Sequence, residues 1–388
     1  MNILIAMDSL KGSLSSLEAN RATMEGLTKA SPDFNIQTVP VADGGEGTVE
    51  ALVYATNGHF IDLVVTGPLG EPVQARYGIL GDKKTAVIEV AEACGLPLLA
   101  KEQRNPLVTT TYGVGEMIVD AVNKGCHELI IGLGGSATTD AGIGMLQALG
   151  YQFLDEEGTS VGFGGAELKR FATVDGRMVP ESVKTAKFRV ACDVNNPLFG
   201  GNGAAYIYGP QKGATPEMVK ELDSGLRHFA EIVLDELGIN LQQISGAGAA
   251  GGLGAAFAGF LNSHLESGVD IILERTQLEE KLQQVDLVIT GEGKLDGQTS
   301  MGKAPSGIAK MAAKLNIPVI ALAGDISEGN STLHDTGITA YFTIVTGPTD
   351  LEEAMKPEVT RGNLKRVGEQ VGRVLKMGKG GFDNHQRR

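Results

Sequence analysis

Short apolar runs, each ending in a loop rich in glycine and acidic residues and followed by a helical pattern, recur along this chain and restrict it to folds built on a parallel sheet. Ile3 to Met7 leads through Asp8-Ser9-Leu10-Lys11-Gly12-Ser13 into a helical pattern from Ser16 to Lys29, with Leu17, Met24 and Leu27 on one face. Ile36 to Val41 ends in Asp43-Gly44-Gly45-Glu46-Gly47 before a helix through Thr48 to Ala55. Thr109 is expected to cap a helix carrying Val114, Ile118 and Val122, after which the strand Leu129 to Leu133 runs into Gly134-Gly135-Ser136. Asp286 to Thr290, a helix with Ile308, Met311 and Leu315, and the strand Ile317 to Leu322 repeat the scheme. Such alternation predicts an α/β fold with a doubly wound, mostly parallel, Rossmann-like sheet.

A chain of 388 residues exceeds one ordinary core, so two domains are expected. Two stretches break the alternation. Val64 and Val65, the turn Gly67-Pro68-Leu69-Gly70, then Val73, Ala75, Tyr77 and Ile79, and later Ala86 to Val90 read as an antiparallel meander. Beyond residue 151, expected strands near Lys187 to Ala191 and Ala204 to Tyr208 mix with a helix opening on Thr215-Pro216-Glu217, whose face Leu222, Leu226, Phe229, Val233 belongs to a core. The expected division places 1–62, 108–150 and 281–377 in the Rossmann-like domain. Residues 63–107 and 151–280 would form an inserted second α/β domain with a mixed or antiparallel sheet, and 378–388 a flexible tail.

A net charge of −14 argues against nucleic acid or an anionic membrane as partner, because phosphate backbones are bound by concentrated Lys and Arg. An anionic substrate would have to meet a local basic or backbone N–H site. Cys94, Cys126 and Cys192 are isolated, without metal or disulfide spacing, which fits a reducing cytoplasm. The N-terminus reads as a first buried strand and lacks the basic segment of a signal peptide. Gly246 to Leu261, mostly Gly and Ala, is too short for a membrane span.

Several loops carry side chains suited to phosphoryl transfer, which needs donors around phosphate oxygens, carboxylates for Mg2+ and a group that orients the attacking hydroxyl. Gly132-Leu133-Gly134-Gly135-Ser136-Ala137-Thr138-Thr139-Asp140 reads either as a glycine loop that cradles phosphate or as a tight turn with Thr139 or Asp140 as helix cap. Asp8 and Lys11 follow the first strand, Asp43 and Glu46 the second, and Asp193-Val194-Asn195 a later one, where open α/β sheets place their ligands. Turn chemistry alone also favours Asp-Gly-Gly. In Thr290-Gly291-Glu292-Gly293-Lys294-Leu295-Asp296-Gly297-Gln298-Thr299, continuing to Lys303-Ala304-Pro305, two carboxylates four residues apart suit metal binding or base catalysis. Gly246-x-Gly248-x-x-Gly251 matches a dinucleotide fingerprint, yet no clear strand precedes it, and close helix packing is its expected meaning.

Taken together, DSLKGSLSS, PVADGGEGT, GLGGSATTDAGIGMLQALG, ACDVNNPL, YGPQKGA, GAGAAGGLGAA and TGEGKLDGQTSMGKAP resemble the glycerate kinase type 1 family, in order from residue 8 to about 307. The resemblance implies ATP-dependent phosphorylation of D-glycerate, with 2-phosphoglycerate as product, on a two-domain α/β fold. Its motifs fall in both expected domains, so the site is expected in a cleft between them. On the chemistry of the side chains, Asp296, Glu292, Asp43 and Lys11 are the catalytic candidates. Gly134, Gly135, Ser136, Ala137, Thr138 and Lys303 are the candidates for ATP, Asp8, Lys11, Glu46, Asp193 and Asn195 for glycerate, and Glu292, Asp296 and Asp193 for Mg2+. Competing readings are a kinase of the GHMP type, which would share a GLGGSA-like loop but not TGEGKLDGQT, an NAD-dependent oxidoreductase using Gly246 to Gly251, and a non-catalytic sugar-acid sensor.

Overall fold

The computed structural model describes residues 1–295, 303–327 and 332–380. In chain order the strands are β1 (Asn2–Met7), β2 (Asn35–Thr38), β3 (His59–Thr66), β4 (Pro72–Ile79), β5 (Thr85–Glu89), β6 (Glu128–Gly132), β7 (Gln152–Leu154), β8 (Thr173–Asp175), β9 (Lys187–Ala191), β10 (His264–Glu266), β11 (Leu287–Leu295), β12 (Val319–Ile326) and β13 (Ala340–Thr343). Two compact units result. One joins Met1–Asp43 to Val269–Arg388, and the other is the inserted Gly44–Gly268.

In the first unit five strands form a sheet in the order β13-β12-β11-β1-β2, every pair parallel. β1 is buried at every position from Ile3 onward because helices cover the sheet, so its sequence is an apolar run without alternation. The helix Ser16–Ala30 that returns the chain from β1 to β2 opens on a reciprocal cap, with the Ser15 side chain accepting from Glu18 N–H and the Glu18 carboxylate from Ser15 N–H. Its buried face packs against the last helix, Pro357–Gly380. Gly26 is required there, since a Cβ would fall 2.2 Å from the Lys365 carbonyl oxygen. The helix extends past the expected start of the tail at 378, and 381–388 lie outside the described residues.

The second unit carries a six-stranded mixed sheet, β10-β9-β6-β5-β4-β3. β3, β4 and β5 are the expected antiparallel meander, while β5, β6, β9 and β10 run parallel. Here the domain boundaries differ from expectation. β6 hydrogen-bonds to β5 and β9, so 108–150 belong with the inserted unit, and the helix Thr48–Thr56 joins them. The periodicity of a strand-helix-strand segment is the same in either sheet, and only cross-strand pairing decides which one receives it. Ala204–Tyr208 is a short helix and not a strand, since β9 and β10 pair directly and leave it no sheet position. Thr109 does not cap the helix Tyr112–Asn123. Thr111 is its N-cap, and the Thr109 hydroxyl donates to the Ala137 carbonyl. The cap at Thr215 and the buried face Leu222, Leu226, Phe229, Val233 are as expected.

The Gly246 to Gly251 segment is packing and not a dinucleotide loop. A Cβ on Gly248 would lie 2.3 Å from the Pro197 carbonyl oxygen and one on Gly251 only 2.0 Å from that of Thr138, with Gly251 also at φ +72°. Gly251→Ala should therefore lower the unfolding free energy by on the order of 3 kcal/mol, read as a shifted denaturant midpoint. A midpoint equal to that of the native chain would refute this packing account.

Candidate active site

Parallel pairing of β1, β11 and β12 sets the end of β1 beside interior positions of the two longer strands. Met7 is opposite Gly291, and Gly291 opposite Leu322. The strands approach closely because Gly291 and Gly324 carry no side chain. A Cβ on Gly291 would fall 2.0 Å from the Leu322 carbonyl oxygen, and one on Gly324 2.8 Å from that of Gly293. The next residues, Asp8 and Glu292, thereby face the carboxyl edge of the sheet, the usual ligand side of an open α/β fold. The Asp8 N–H donates to the Gly291 carbonyl at 2.8 Å.

Asp8 is only 3% exposed, and its Oδ1 accepts from the Ser9 N–H at 2.6 Å. Burial pushes its carboxyl up to about 7, with the negative charges of Asp43 and Glu292 adding to the effect and the Ser9 bond and Lys11 opposing it. Lys11, at the tip of the β1 loop, reaches Asp43 with Nζ 3.1 Å from Oδ2. Burial works against its ammonium, but Asp43 overcomes that through charge and hydrogen bond, with help from Asp8 and Glu292, and raises it above the ordinary lysine value. Glu292 is 6% exposed, and Lys303 Nζ stands 3.3 Å from its Oε2. Lys303 is the N-cap of the helix Ala304–Lys314, whose first turn contains Pro305. Lys294 pairs with Asp325 at 3.0 Å. Carboxylates and lysines thus meet in pairs around a cavity of about 450 Å3 lined by this unit.

The inserted unit has its own strand-end set. Gly132 and Gly134 let the Gly44-Gly45 backbone cross the ends of β6 and β9, where a Cβ on Gly132 would fall 2.6 Å from the Gly44 carbonyl oxygen. Glu46, Asp193 and Asn195 are exposed there. Asp193 accepts from the Gly268 N–H, and Asn195 from the Ser245 hydroxyl. Of the expected phosphate loop, Gly134 and Gly135 are exposed, but Ser136, Ala137 and Thr138 are buried. Several of their polar groups are engaged within the unit, although the buried Thr138 hydroxyl has no hydrogen-bond partner among the described residues. The Ala137 N–H donates to the Cys94 carbonyl, and the buried Lys212 donates to the Ser136 hydroxyl at 3.0 Å and the Thr138 carbonyl at 2.6 Å. Asp140, also buried, accepts from the Thr111 N–H and hydroxyl and from the Gly142 N–H, tying together two helix starts. Ser136 to Thr138 are thus buried within the unit, and neither Thr139 nor Asp140 is the cap of the following helix Ile143–Ala148, whose N-cap is Gly142.

Asp296 lies outside the described residues. Among those described, no three His, Cys, Asp or Glu side chains converge as a ready-made metal site, and no helix is long and apolar enough to cross a membrane.

The family model described as the glycerate kinase family matches residues 3–376. The chain belongs to the glycerate kinase family. It is 48% identical to a glycerate kinase of Bacillus subtilis, over 98% of this chain and 99% of that one, and 46% identical to a glycerate 2-kinase of Escherichia coli, over 97% and 99%. A solved structure of a putative glycerate kinase 2 from Salmonella typhimurium LT2 superposes with a TM-score of 0.89 at 42% identity, covering 98% of this chain and 99% of that one.

Against this family setting, sequence reading missed two features. Glu89 ends the buried strand β5 and accepts from the Val49 N–H at 2.8 Å, in effect capping the helix Thr48–Thr56 from a distance because Gly47 has no side chain to do so. Burial pushes its carboxyl up to about 7. A terminal Glu on an otherwise apolar run was the available signal. The second is the degree to which Asp8 is enclosed, which follows only from strand pairing.

Asp8 supplies a test. Its carboxyl titrates near 3.8 when unfolded and near 7 when folded, so folding takes up a proton between these values and this group's contribution to stability grows as pH falls through 7. Above pH 7 both states are ionised and the folded chain bears the burial. Asp8→Asn should raise the unfolding free energy at pH 8 by up to about 4 kcal/mol, since each tenfold change in proton affinity is worth about 1.36 kcal/mol, and the gain should fade toward pH 4. Melting curves at the two pH values check this. A gain independent of pH would contradict it.

Proposed function

We propose that this chain transfers the γ-phosphoryl group of ATP to the 2-hydroxyl of D-glycerate, releasing ADP and 2-phosphoglycerate. The observation that carries this reading is the strand-end cavity in which buried carboxylates, Asp8 and Glu292, stand beside lysines, Lys11 and Lys303. The name of the Escherichia coli relative supports the choice of hydroxyl.

Lys11 and Lys303 are proposed to take the charge of the phosphoryl group as it transfers. In this structure each is engaged with a carboxylate, and an arriving phosphate would share or replace that partner. Asp8 is suited to act as base. A carboxyl held near 7 is half ionised at neutral pH and basic enough to accept the proton of the attacking hydroxyl as the new O–P bond forms and the bond to ADP breaks. Mg2+ is read as arriving with the nucleotide, since that ion is commonly held by one or two carboxylates together with substrate phosphates. Glu292 fits that donor set in type and placement, and Asp296 and Asp193 remain proposed ligands on sequence grounds. Gly134, Gly135 and Asn195 offer donors suited to the glycerate carboxylate, and Asp193 and Glu46 acceptors for its hydroxyls. The isolated thiols and the acidic surface favour a cytoplasmic enzyme.

Purified chain supplied with Mg-ATP should release ADP only when D-glycerate is added, with the product identified by its phosphorus spectrum. Glu292→Gln and Lys303→Met should each lower turnover at least about a hundredfold while melting as folded proteins. The acid limb of the rate profile, near pH 7, should vanish in Asp8→Asn along with most of the activity. ADP release without dependence on glycerate, or turnover unchanged in Glu292→Gln and Asp8→Asn, would sink the reading.

A further inference from the structure

One wall of the strand-end cavity is not used by the phosphoryl chemistry. After β13 the chain contributes Ile344 and Val345. The short helix Leu351–Ala354 and the residue after it add Leu351, Ala354 and Met355. These side chains are hydrocarbon or thioether throughout. Leu351 is 74% exposed, and Val345, Ala354 and Met355 are half-buried, so the wall is built but not covered.

The wall is fixed in place. Asp350 caps the short helix, with its carboxylate accepting from the Glu353 N–H at 2.8 Å. Thr360, buried, shares a hydrogen bond with the Ser13 hydroxyl at 2.6 Å and donates to the Ala354 carbonyl, tying the segment to the loop after β1. Gly12, at φ +77°, admits Met355 over that loop, since a Cβ there would fall 2.7 Å from the Met355 methyl carbon. The strand order β13-β12-β11-β1 sets Ile344 and Val345, just past β13, apart from Asp8 and Glu292 at β1 and β11, while Met355 closes over the loop that carries Lys11. Three strand spacings separate β13 from β1, roughly 14 Å.

A ligand that matches this arrangement has a flat body with apolar faces at one end and several negative charges at the other. We infer that the base of the nucleoside triphosphate lies on the wall formed by Val345, Leu351 and Met355, with its phosphates extended toward Lys11 and Lys303. This rests on the kinase reading above. A cavity of about 450 Å3 is within the range that holds such molecules. Because the side chains of the wall offer no hydrogen-bonding group, the base is gripped by contact more than by pattern, and discrimination among purine triphosphates by these side chains is weak.

The test compares Leu351→Ala with Val374→Ala, a truncation of another exposed apolar side chain, on the last helix and outside the cavity. Leu351→Ala should raise the Michaelis constant for ATP roughly tenfold, the amount expected for losing the burial of part of one leucine side chain, and leave that for glycerate unchanged. Val374→Ala should alter neither constant. Because Leu351 is mostly exposed, its truncation does not threaten the fold, and a melting curve verifies this for each variant. An unchanged constant for ATP in Leu351→Ala, or an increase confined to glycerate, overturns the assignment. Calorimetric titration of each protein with ATP alone keeps the two readings apart. Weakened ATP binding in Leu351→Ala supports the wall even if glycerate elicits no turnover, whereas equal ATP binding in the native chain and Leu351→Ala overturns the wall even if the kinase reaction is intact.

Discussion

Negative charge gathered at one sheet edge is the constraint on which the first unit depends. Asp8, Asp43 and Glu292 come from the end of β1, the loop after β2 and the interior of β11, and each would be repelled by the others without compensation. The structure compensates in two ways. Lys11 and Lys303 supply opposite charge at 3.1 and 3.3 Å, and Asp8 gives up its charge in part by titrating near neutrality. A site balanced in this way is sensitive to one more anion or cation. An arriving triphosphate with its metal ion brings both, and the lysines and carboxylates are already apportioned to meet them.

The same edge explains why the glycines gather where they do. Gly291 and Gly324 let β11 and β12 run closely side by side on either side of Glu292, and Gly132 and Gly134 do the equivalent for the Gly44-Gly45 crossing in the inserted unit. Close backbone approach and placement of acidic side chains are therefore one feature and not two.

Much of this was legible in the sequence because it is local. β1, the helix after it with its Ser15 and Glu18 cap, β11 and the cap at Thr215 follow from apolar runs and capping residues within a few positions. Asp8, Lys11, Asp43, Glu292 and Lys303 could be named as candidates because they sit just past such runs. What was not legible is pairing. The run Leu129 to Leu133 reads equally well in either sheet, and only its bonds to β5 and β9 place it with the inserted unit. Likewise the glycine loop after β6 has the composition of a phosphate cradle. The bonds of Lys212, 76 residues beyond Ser136, to the buried Ser136 and Thr138 cannot be inferred from spacing.

The points where the chain enters and leaves the inserted unit are neighbours. Gly44 begins it and Gly268 ends it, and a Cβ on Gly44 would touch Gly268 Cα at 2.7 Å. A segment whose two ends meet behaves, for the host into which it is spliced, like a very short loop. Its length imposes little closure entropy on the first unit, and a short linker in its place could rejoin β2 to the helix that begins near Val269 without stretching the chain. The insertion is thus topologically removable, a property that would let the two units acquire their sequences at different times and by different routes.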